Sequence, residues 1–269
     1  MIKNLEYKST IGIIGGTGLY DSNIFNIVDE IKINTPYGET SDRITICTYN
    51  EKKIAFIPRH GKNHRIPPHQ VNYQANIWAM KELGVNVILA PSAVGSLQPQ
   101  YKPGDIVLPD QYIDFTKKRR YTFYEGPVVC HISQSDPFCP DLRQTIIKDL
   151  NNLQFKFHPN GTYICIEGPR FSTKAESNYY RTILKADIIG MTLIPECILA
   201  REMEMCYVSI STVTDYDVWA EVAVSSKEII ETLSKNVDKT KKLLLTIIPK
   251  IMEERTICNC SSSLENALV

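Results

Sequence analysis

Short apolar runs rich in β-branched residues alternate along this chain with longer segments of helical period. The short runs are found at residues 11–14, 54–57, 85–90, 105–108, 162–166, 187–189 and 207–213. The helical segments cover 71–83, 173–185 and the stretch after 225. This alternation is typical of a parallel sheet covered by helices, so the sequence predicts an α/β fold.

Helix boundaries are marked by local signals. Gly84 is placed to end the first predicted helix. Two pairs with the spacing of a capping box precede the later helices: Thr173 with Glu176, and Ser225 with Glu228. No internal repeat or interdomain linker interrupts the pattern. We therefore expect one domain over residues 1–252, followed by a cysteine-containing tail, 253–269, that is loosely attached.

Charge and hydropathy exclude several classes of protein. The chain has 269 residues with 30 Lys and Arg against 30 Asp and Glu, so its formal net charge is zero. Without a cationic excess, dedicated binding to nucleic acid or to an anionic membrane is not expected. No apolar run approaches the roughly 20 residues that cross a bilayer, and the first residues lack the apolar core of a secretion signal. We expect a soluble cytoplasmic protein.

The eight cysteines show no spacing typical of a zinc site. The sequence therefore gives no reason to expect a structural metal. Cys258 and Cys260 are separated by one residue and leave three states open: a bridge to each other, bridges to upstream cysteines, or two thiols.

Polar and charged residues follow one predicted strand after another. In open α/β sheets, ligands bind beyond the carboxyl ends of the strands. We expect a common site formed by the residues at these ends: Thr17, Arg59, His60, Ser92, Ala93, Phe171, Ser172, Met191, Thr192, Asp215 and Asp217.

Part of this set suits an anion. The Gly15–Gly18 loop can turn backbone N–H groups toward a phosphate, with Thr17 adding a hydroxyl. Arg59 offers a planar fork to two phosphate oxygens, and His60 can donate a further hydrogen bond. The hydroxyls of Ser92 and Thr192 are further donors. The structural alternative is that the glycines form a turn, Arg59 pairs with a surface carboxylate and His60 is a satisfied structural histidine.

The other part suits a purine base. Asp215 and Asp217 lie one residue apart, and on a turn both can face one heterocycle. A carboxyl sequestered from water can stay protonated and share its proton with a ring nitrogen, while the ionised partner accepts from an exocyclic amine. The oxygen of a 6-oxopurine would instead face the ionised carboxylate, so two hydrogen-bond acceptors would oppose each other. For the two aspartates, an Asx turn, a helix cap and a metal site are the alternatives. Phe171 could stack on the base and Met191 could contact a ribose, but residues of these types more often pack in the core.

Seven motifs recur in a familiar order, at residues 11–18, 59–61, 71–79, 103–107, 167–172, 191–192 and 214–217. Together they closely resemble the 5′-methylthioadenosine phosphorylases of the trimeric purine nucleoside phosphorylase family. The resemblance covers residues 11–251 and implies a mixed central sheet with a barrel-like part surrounded by helices. It also implies that phosphate and 5′-methylthioadenosine give adenine and 5-methylthioribose 1-phosphate.

The resemblance also implies a role for each site residue. Asp215 is the general acid toward N7 of adenine, Arg59 holds the nucleophile in line, and His60 joins them at the reacting centre. His131 reaches the 5′ substituent from a neighbouring subunit of a homotrimer or homohexamer. No metal or organic cofactor is implied. The phosphate ligands are Thr17, Arg59, His60, Ser92, Ala93 and Thr192, and the nucleoside ligands are Phe171, Ser172, Met191, Asp215, Asp217 and His131.

Substrate preference is left open by the sequence. Residues 219–225 form a shorter segment than is usual in the family, and Ser226 replaces a common apolar residue, although Val222, Val224, Ile229 and Ile230 still predict an apolar 5′ pocket. A purine nucleoside phosphorylase of broad specificity, acting on adenosine, inosine or guanosine, is the nearest alternative. A hydrolytic nucleosidase and a nucleoside-binding module are the others. Resemblance to archaeal members with disulfides makes Cys139 and Cys206 a candidate pair.

Overall fold

The computed structural model describes residues 7–16, 19, 24–220, 226–252 and 258–269, with only the backbone at 226–230. This part of the chain contains an eleven-stranded sheet. The strands are β1 Ile11–Gly15, β2 Asn26–Ile31, β3 Ile44–Tyr49, β4 Lys52–Pro58, β5 Val87–Ser96, β6 Ile106–Val107, β7 Gln111–Phe115, β8 Phe157–His158, β9 Thr162–Ile166, β10 Ile188–Gly190 and β11 Cys206–Asp215. The α-helices are α1 Tyr73–Glu82, α2 Pro140–Asn152, α3 Lys174–Asn178, α4 Glu196–Glu202 and α5 Ser226–Ile247.

Strand β5 is the centre of the sheet. The main path runs β2-β3-β4-β1-β5-β10-β9-β7, and β11 pairs with both β5 and β6. β5 is parallel to β1 and β11 but antiparallel to β10. The sheet is therefore mixed, which confirms the fold that the family resemblance implies, whereas the alternation by itself indicates only a parallel sheet.

Helices cover both faces of the sheet because side chains alternate along its buried strands. Ile14 of β1 belongs to a core cluster with α1 and α4, whereas Ile11 and Ile13 belong to a second cluster with α2 and α5. Every residue of β1 is buried. A strand that is apolar on both faces therefore has the continuous hydrophobic run that made it recognisable in the sequence.

The sequence locates the central strands well and the edges poorly. β1, β4, β9 and α1 are confirmed within a few residues, whereas β2, β3, β7, β8, α2 and α4 are not predicted. β2 lies at one end of the path and is largely exposed, so its sequence lacks an apolar run. The sequence predicts that Ser92 and Ala93 follow the end of a strand. This prediction is wrong, because β5 runs on to Ser96 and both residues lie within it.

The predicted capping box of α3 is confirmed. Thr173 accepts a hydrogen bond from the Glu176 N–H, and the Glu176 side chain accepts from the Thr173 N–H. After α3 the chain continues as a π-helical turn, Tyr179–Ile183. The second capping box, at Ser225 and Glu228, lies outside the side chains that the structure describes.

The last residues are attached more firmly than the sequence predicts. Cys258, Cys260 and Ala267 are buried. Val129 and Val269 exchange two backbone hydrogen bonds of 3.0 Å, and the His131 N–H donates to the Ala267 carbonyl at 2.7 Å. Residues 258–269 therefore pack on the domain. In the described part of the chain, no helix has the length and apolar character needed to cross a membrane.

Gly190, at the end of β10, tests how tightly the sheet is packed near its centre. A Cβ at this position would overlap the hydroxyl of Tyr163 on the neighbouring strand β9. We expect Gly190→Ala to lower the free energy of unfolding by about 1–3 kcal/mol, because overpacking forces the backbone or the ring to move. Urea denaturation measures the loss. The double variant Gly190→Ala/Tyr163→Phe should recover part of it, and additive losses would contradict the clash.

Candidate active site

A cavity of about 480 Å³ opens beside the middle of β5. Its size lies in the range of small-molecule sites. All but two of the predicted site residues line it: Arg59, His60, Ser92, Ala93, Phe171, Ser172, Met191, Thr192, Asp215 and Asp217. Thr17 lies outside the described residues, as do the side chains predicted for the 5′ pocket. His131 is described but does not line the cavity.

The cavity exists because the sheet has a gap along one edge of β5. β1 pairs with β5 only at Val87–Leu89, and β10 pairs with it only at Gly95 and Ser96. Between these positions β5 has β11 as a partner on its other edge. Ser92 and Ala93 can therefore line the cavity from within a strand.

Arg59 is held at the gap by a buried ion pair. Its Nε and Nη2 donate to the two carboxylate oxygens of Glu196 at 2.6 and 2.7 Å. The side chains of Arg59 and Glu196 are only 2% and 1% exposed. Although burial alone would lower the pKa of the guanidinium, contact with Glu196 raises it, so Arg59 stays charged.

Backbone carbonyls accept two more Arg59 hydrogen bonds. Nη2 donates to Ile14 O at 3.0 Å and Nη1 donates to Pro91 O at 3.2 Å. Four of the five guanidinium N–H groups thus have partners, which leaves one on Nη1. Arg59 does pair with a carboxylate, but that carboxylate is buried and not at the surface, and one donor is left at the cavity.

Glu196 is the functional residue that sequence reasoning missed. It begins α4, is fully buried, and accepts a further hydrogen bond from the Tyr207 hydroxyl at 2.8 Å. Its signal is a single acidic residue inside the apolar segment 193–200. Because a buried carboxylate needs a partner, that placement indicates a cation elsewhere in the fold, although it does not say which one.

His60 is not protonated as its predicted role as a hydrogen-bond donor to the anion requires. Its Nδ1 lies 2.9 Å from the Ile66 carbonyl, so Nδ1 carries the proton and donates. Burial, followed by the charge of Arg59, lowers the pKa of His60 to about 4. At neutral pH the ring can therefore accept a hydrogen bond at Nε2 and cannot donate one. A donor role requires that a bound anion raise this pKa.

Hydroxyl groups supply further polar atoms to the cavity. The Oγ atoms of Ser92 and Ser172 are buried and have no hydrogen-bond partner within the described residues. Thr192 is only 9% exposed. Unpaired buried hydroxyls cost free energy unless a ligand satisfies them, so they indicate where polar ligand atoms bind.

Asp215 and Asp217 also line the cavity, and a hydrogen bond links the Asp217 backbone to the Asp215 side chain. The Asp217 N–H donates to Asp215 Oδ1 at 2.8 Å, and Asp215 Oδ2 lies 2.7 Å from the Thr214 hydroxyl. Asp217 has a φ of 51°, which turns its side chain out of strand alternation. Both carboxyls can therefore face one cavity although they are one residue apart.

The two carboxyls differ in their surroundings. Burial raises the pKa of Asp217, and the neighbouring Asp215 charge adds to the rise. Asp217 Oδ2 is buried without a hydrogen-bond partner in the part of the chain described. The Thr214 hydroxyl also lies 3.2 Å from Val94 O. One hydroxyl proton cannot serve Val94 O and Asp215 Oδ2 together, so the Thr214 hydroxyl donates to one of them at a time.

The remaining predicted residues lie on loops. Met191 lines the cavity, and its sulfur packs so closely on Gly168 that a Cβ there would meet it at 2.6 Å. Phe171 lines the cavity but is 75% exposed in the single chain. His131 is exposed on the segment that pairs with residues 267–269.

Comparison with known proteins agrees with this geometry. Residues 10–249 match the family model described as the phosphorylase superfamily. The chain belongs to that superfamily. The S-methyl-5′-thioadenosine phosphorylase of Nitrosopumilus maritimus is 58% identical over 98% of this chain and 99% of its own.

Two solved structures extend the comparison. A methylthioadenosine phosphorylase from an Antarctic soil metagenomic library has a TM-score of 0.92 and 44% identity, covering 98% of this chain and 93% of its own. The methylthioadenosine phosphorylase of Schistosoma mansoni, solved with adenine, has a TM-score of 0.89 and 36% identity, covering 97% and 99%. The resemblance inferred from the motifs is confirmed.

In this member of the phosphorylase superfamily, the buried ion pair should dominate the stability of the site. We expect Glu196→Ala to lower the free energy of unfolding by about 3–5 kcal/mol, because it leaves a buried guanidinium without a counter-charge. Chemical denaturation measures the loss. Tyr207→Phe, which removes one hydrogen bond to the same carboxylate, should cost about 1–3 kcal/mol. Equal losses of unfolding free energy in the two variants would show that the charge of Glu196 does not stabilise the site.

Proposed function

We infer that this protein is a pentosyltransferase that catalyses phosphorolysis of 5′-methylthioadenosine, giving adenine and 5-methylthioribose 1-phosphate. The observation that carries this proposal is that one cavity is lined by the Arg59 cation, which has a spare N–H, by the unpaired Ser92 hydroxyl and by two carboxyls. The relatives of near-identical length bear the same activity in their names. Phosphate is a co-substrate, and the proposed reaction requires no organic cofactor or metal ion.

At the phosphate side, the residues act by holding the nucleophile. The Nη1 donor of Arg59 and the hydroxyls of Ser92 and Thr192 would bind phosphate oxygens, with Thr17 and the Ala93 backbone completing the set. Neutral His60 would accept from a phosphate hydroxyl, or donate once the anion raises its pKa. Because Glu196 fixes the guanidinium, little reorganisation is needed when phosphate binds.

At the base side, the residues act on the leaving group. A phosphate oxygen forms a bond to C1′ as the C1′–N9 bond breaks, and the bonding electrons pass to the purine. Asp215 would supply a proton to N7, which makes adenine a better leaving group. Asp217, with Ser172, would accept from the 6-amino group. A 6-oxopurine would instead place an acceptor opposite a carboxylate, which favours methylthioadenosine over inosine or guanosine.

The proposed role of His131 requires an oligomer. His131 does not line the cavity of its own chain, but it is exposed on a backbone segment held by hydrogen bonds. We propose that it reaches the 5′ substituent in a neighbouring subunit of a homotrimer, or of a hexamer of two trimers. Phe171, exposed in the single chain, would be covered in the same assembly and stack on adenine.

The activity is tested by measuring adenine release with and without phosphate. We expect release from methylthioadenosine to need phosphate and to exceed release of base from inosine or guanosine by about tenfold or more, the equivalent of one unpaired buried polar contact. Turnover in phosphate-free buffer would support hydrolysis instead. Equal turnover of 6-oxopurine nucleosides would support a broad specificity, and nucleoside binding without cleavage would support a sensor.

The two carboxyls should fail in different ways when they are changed. We expect Asp215→Asn to lower kcat by about 10²–10⁴-fold, because it removes a general acid. Asp217→Asn should lower kcat/KM for methylthioadenosine by about 10–100-fold. It should also lower the ratio of kcat/KM for methylthioadenosine to that for inosine, because the Asn amide can donate to a 6-oxo group. Steady-state kinetics separate these effects. Asp136→Asn, an exposed change outside the cavity, is the matched control. An unchanged purine preference in Asp217→Asn would contradict its role.

A further inference from the structure

One arginine of a basic run is buried although its neighbours in the run are not. The run Lys117–Arg120 follows β7, and its sequence is typical of a solvated charged segment. Of the four residues only Arg119 is buried, with its side chain 2% exposed. A buried cation costs free energy unless it has partners, so the contacts of this guanidinium indicate what it does.

Arg119 donates mainly to backbone carbonyls. Its Nη2 donates to Glu167 O at 2.8 Å and to Ile166 O at 3.4 Å. Its Nη1 donates to Ile194 O and, at 3.2 Å, to the Tyr73 hydroxyl. Four of its five N–H groups thus have partners. A planar guanidinium used in this way holds separate segments of backbone at a fixed distance from one another.

The carboxylate of Glu167 lies beside Arg119 without a hydrogen bond to it. Glu167 Oε1 is 3.5 Å from Arg119 Nε, and neither atom has a hydrogen-bond partner within the described residues. Glu167 Oε2 instead accepts from the N–H groups of Lys117 and Lys118. Although burial alone would raise the pKa of Glu167, these hydrogen bonds and the Arg119 charge lower it. The carboxylate therefore balances the charge, while the backbone contacts fix the guanidinium.

Arg119 connects the ends of three neighbouring parallel strands. β9 pairs in parallel with both β7 and β10. Arg119 follows β7, Ile166 ends β9, and Ile194 follows β10. Arg119 itself does not line the cavity. Residues that do line it follow β9 and β10 directly: Pro169, Phe171 and Ser172 after β9, and Met191 and Thr192 after β10.

Tyr73 extends these contacts to another part of the cavity wall. It is buried at the start of α1, and its hydroxyl accepts from Arg119 and donates to Pro68 O at 3.0 Å. Pro68 lines the cavity. Glu196, the partner of Arg59, is two residues beyond Ile194. One buried side chain thus joins three segments on which the candidate site is built.

We propose that Arg119 is a positioning residue for phosphorolysis, an inference that rests on the function proposed above. Arg119 holds the loop 166–172, with Phe171 and Ser172, at a fixed distance from the segment 191–196, with Thr192 and Glu196. The nucleoside and phosphate must be aligned for the bond at C1′ to be exchanged. An error of about 1 Å in such an alignment can cost about 100-fold in rate.

The test compares the unmodified full chain with Arg119→Lys. Lysine keeps the positive charge but lacks the planar fork that reaches separate carbonyls. We expect kcat and kcat/KM for methylthioadenosine to fall together by about 10–100-fold, because the lost contacts align the substrates for the transition state. KM for methylthioadenosine should therefore stay the same. Rates are expressed per folded enzyme, with the folded fraction measured by circular dichroism.

Arg143→Lys is the matched control. Arg143 is half-buried and also donates to a backbone carbonyl, Leu108 O, at 3.2 Å, but it does not line the cavity or contact the segments that Arg119 joins. We expect this variant to keep the kcat of the unmodified chain. An equal fall of kcat in the two lysine variants would overturn the proposal.

Tyr73→Phe is a second variant, and it decides the question if Arg119→Lys does not fold. It removes only the hydroxyl that joins Arg119 to Pro68 O. We expect kcat to fall with KM unchanged, by less than in Arg119→Lys. An unchanged kcat in a folded Tyr73→Phe would then overturn the positioning role.

The failure of this inference can be told apart from the failure of the proposed function. If the unmodified chain releases no adenine in the presence of phosphate, the proposed function is wrong and the role of Arg119 falls with it. If the unmodified chain is active and folded Arg119→Lys keeps its kcat, only the role of Arg119 is wrong. A lower free energy of unfolding or a higher KM, with kcat unchanged, would have the same meaning.

Discussion

The buried pairing of Arg59 with Glu196 is the interaction on which the candidate site depends. Without the carboxylate, the buried guanidinium would carry an uncompensated charge, which is strongly destabilising. With it, four donors are fixed and one is left at the cavity. It also limits what mutagenesis can show, since Arg59→Ala would strand a buried carboxylate as well as remove a phosphate ligand. Changes at Ser92 or Thr192 separate phosphate binding from stability more cleanly.

The cavity follows from how the strands are shared around β5. β1 stops pairing after Leu89 and β10 begins at Gly95, while β11 supports the other edge throughout. The site is thus built into the sheet and does not rest on loops alone. A strand edge held rigidly by its other partner can present backbone and hydroxyl groups in fixed positions, which is what a reaction catalysed by positioning and electrostatics needs.

The local environments of the titratable groups in the cavity shift their pKa values in different directions. Burial lowers the pKa of His60 to about 4, so its ring is neutral at pH 7, and burial raises the pKa of Asp217 above its ordinary value. Arg59 stays charged because it is paired. A nucleoside and a phosphate would therefore meet one fixed cation and groups whose protonation responds to the ligand.

The sequence by itself determined the α/β class, the central strands and most residues of the site, because buried strands have continuous apolar runs and the motifs lie where those strands end. It could not determine that β5 continues past Ser92 or that Glu196 is the partner of Arg59. Nor could it determine that four cysteines from three distant segments converge, with their Sγ atoms within 4.8 Å of one another. Each of these is a contact between segments far apart in the chain. Local pattern records which residue is apolar or acidic, but only tertiary packing decides which partner it meets.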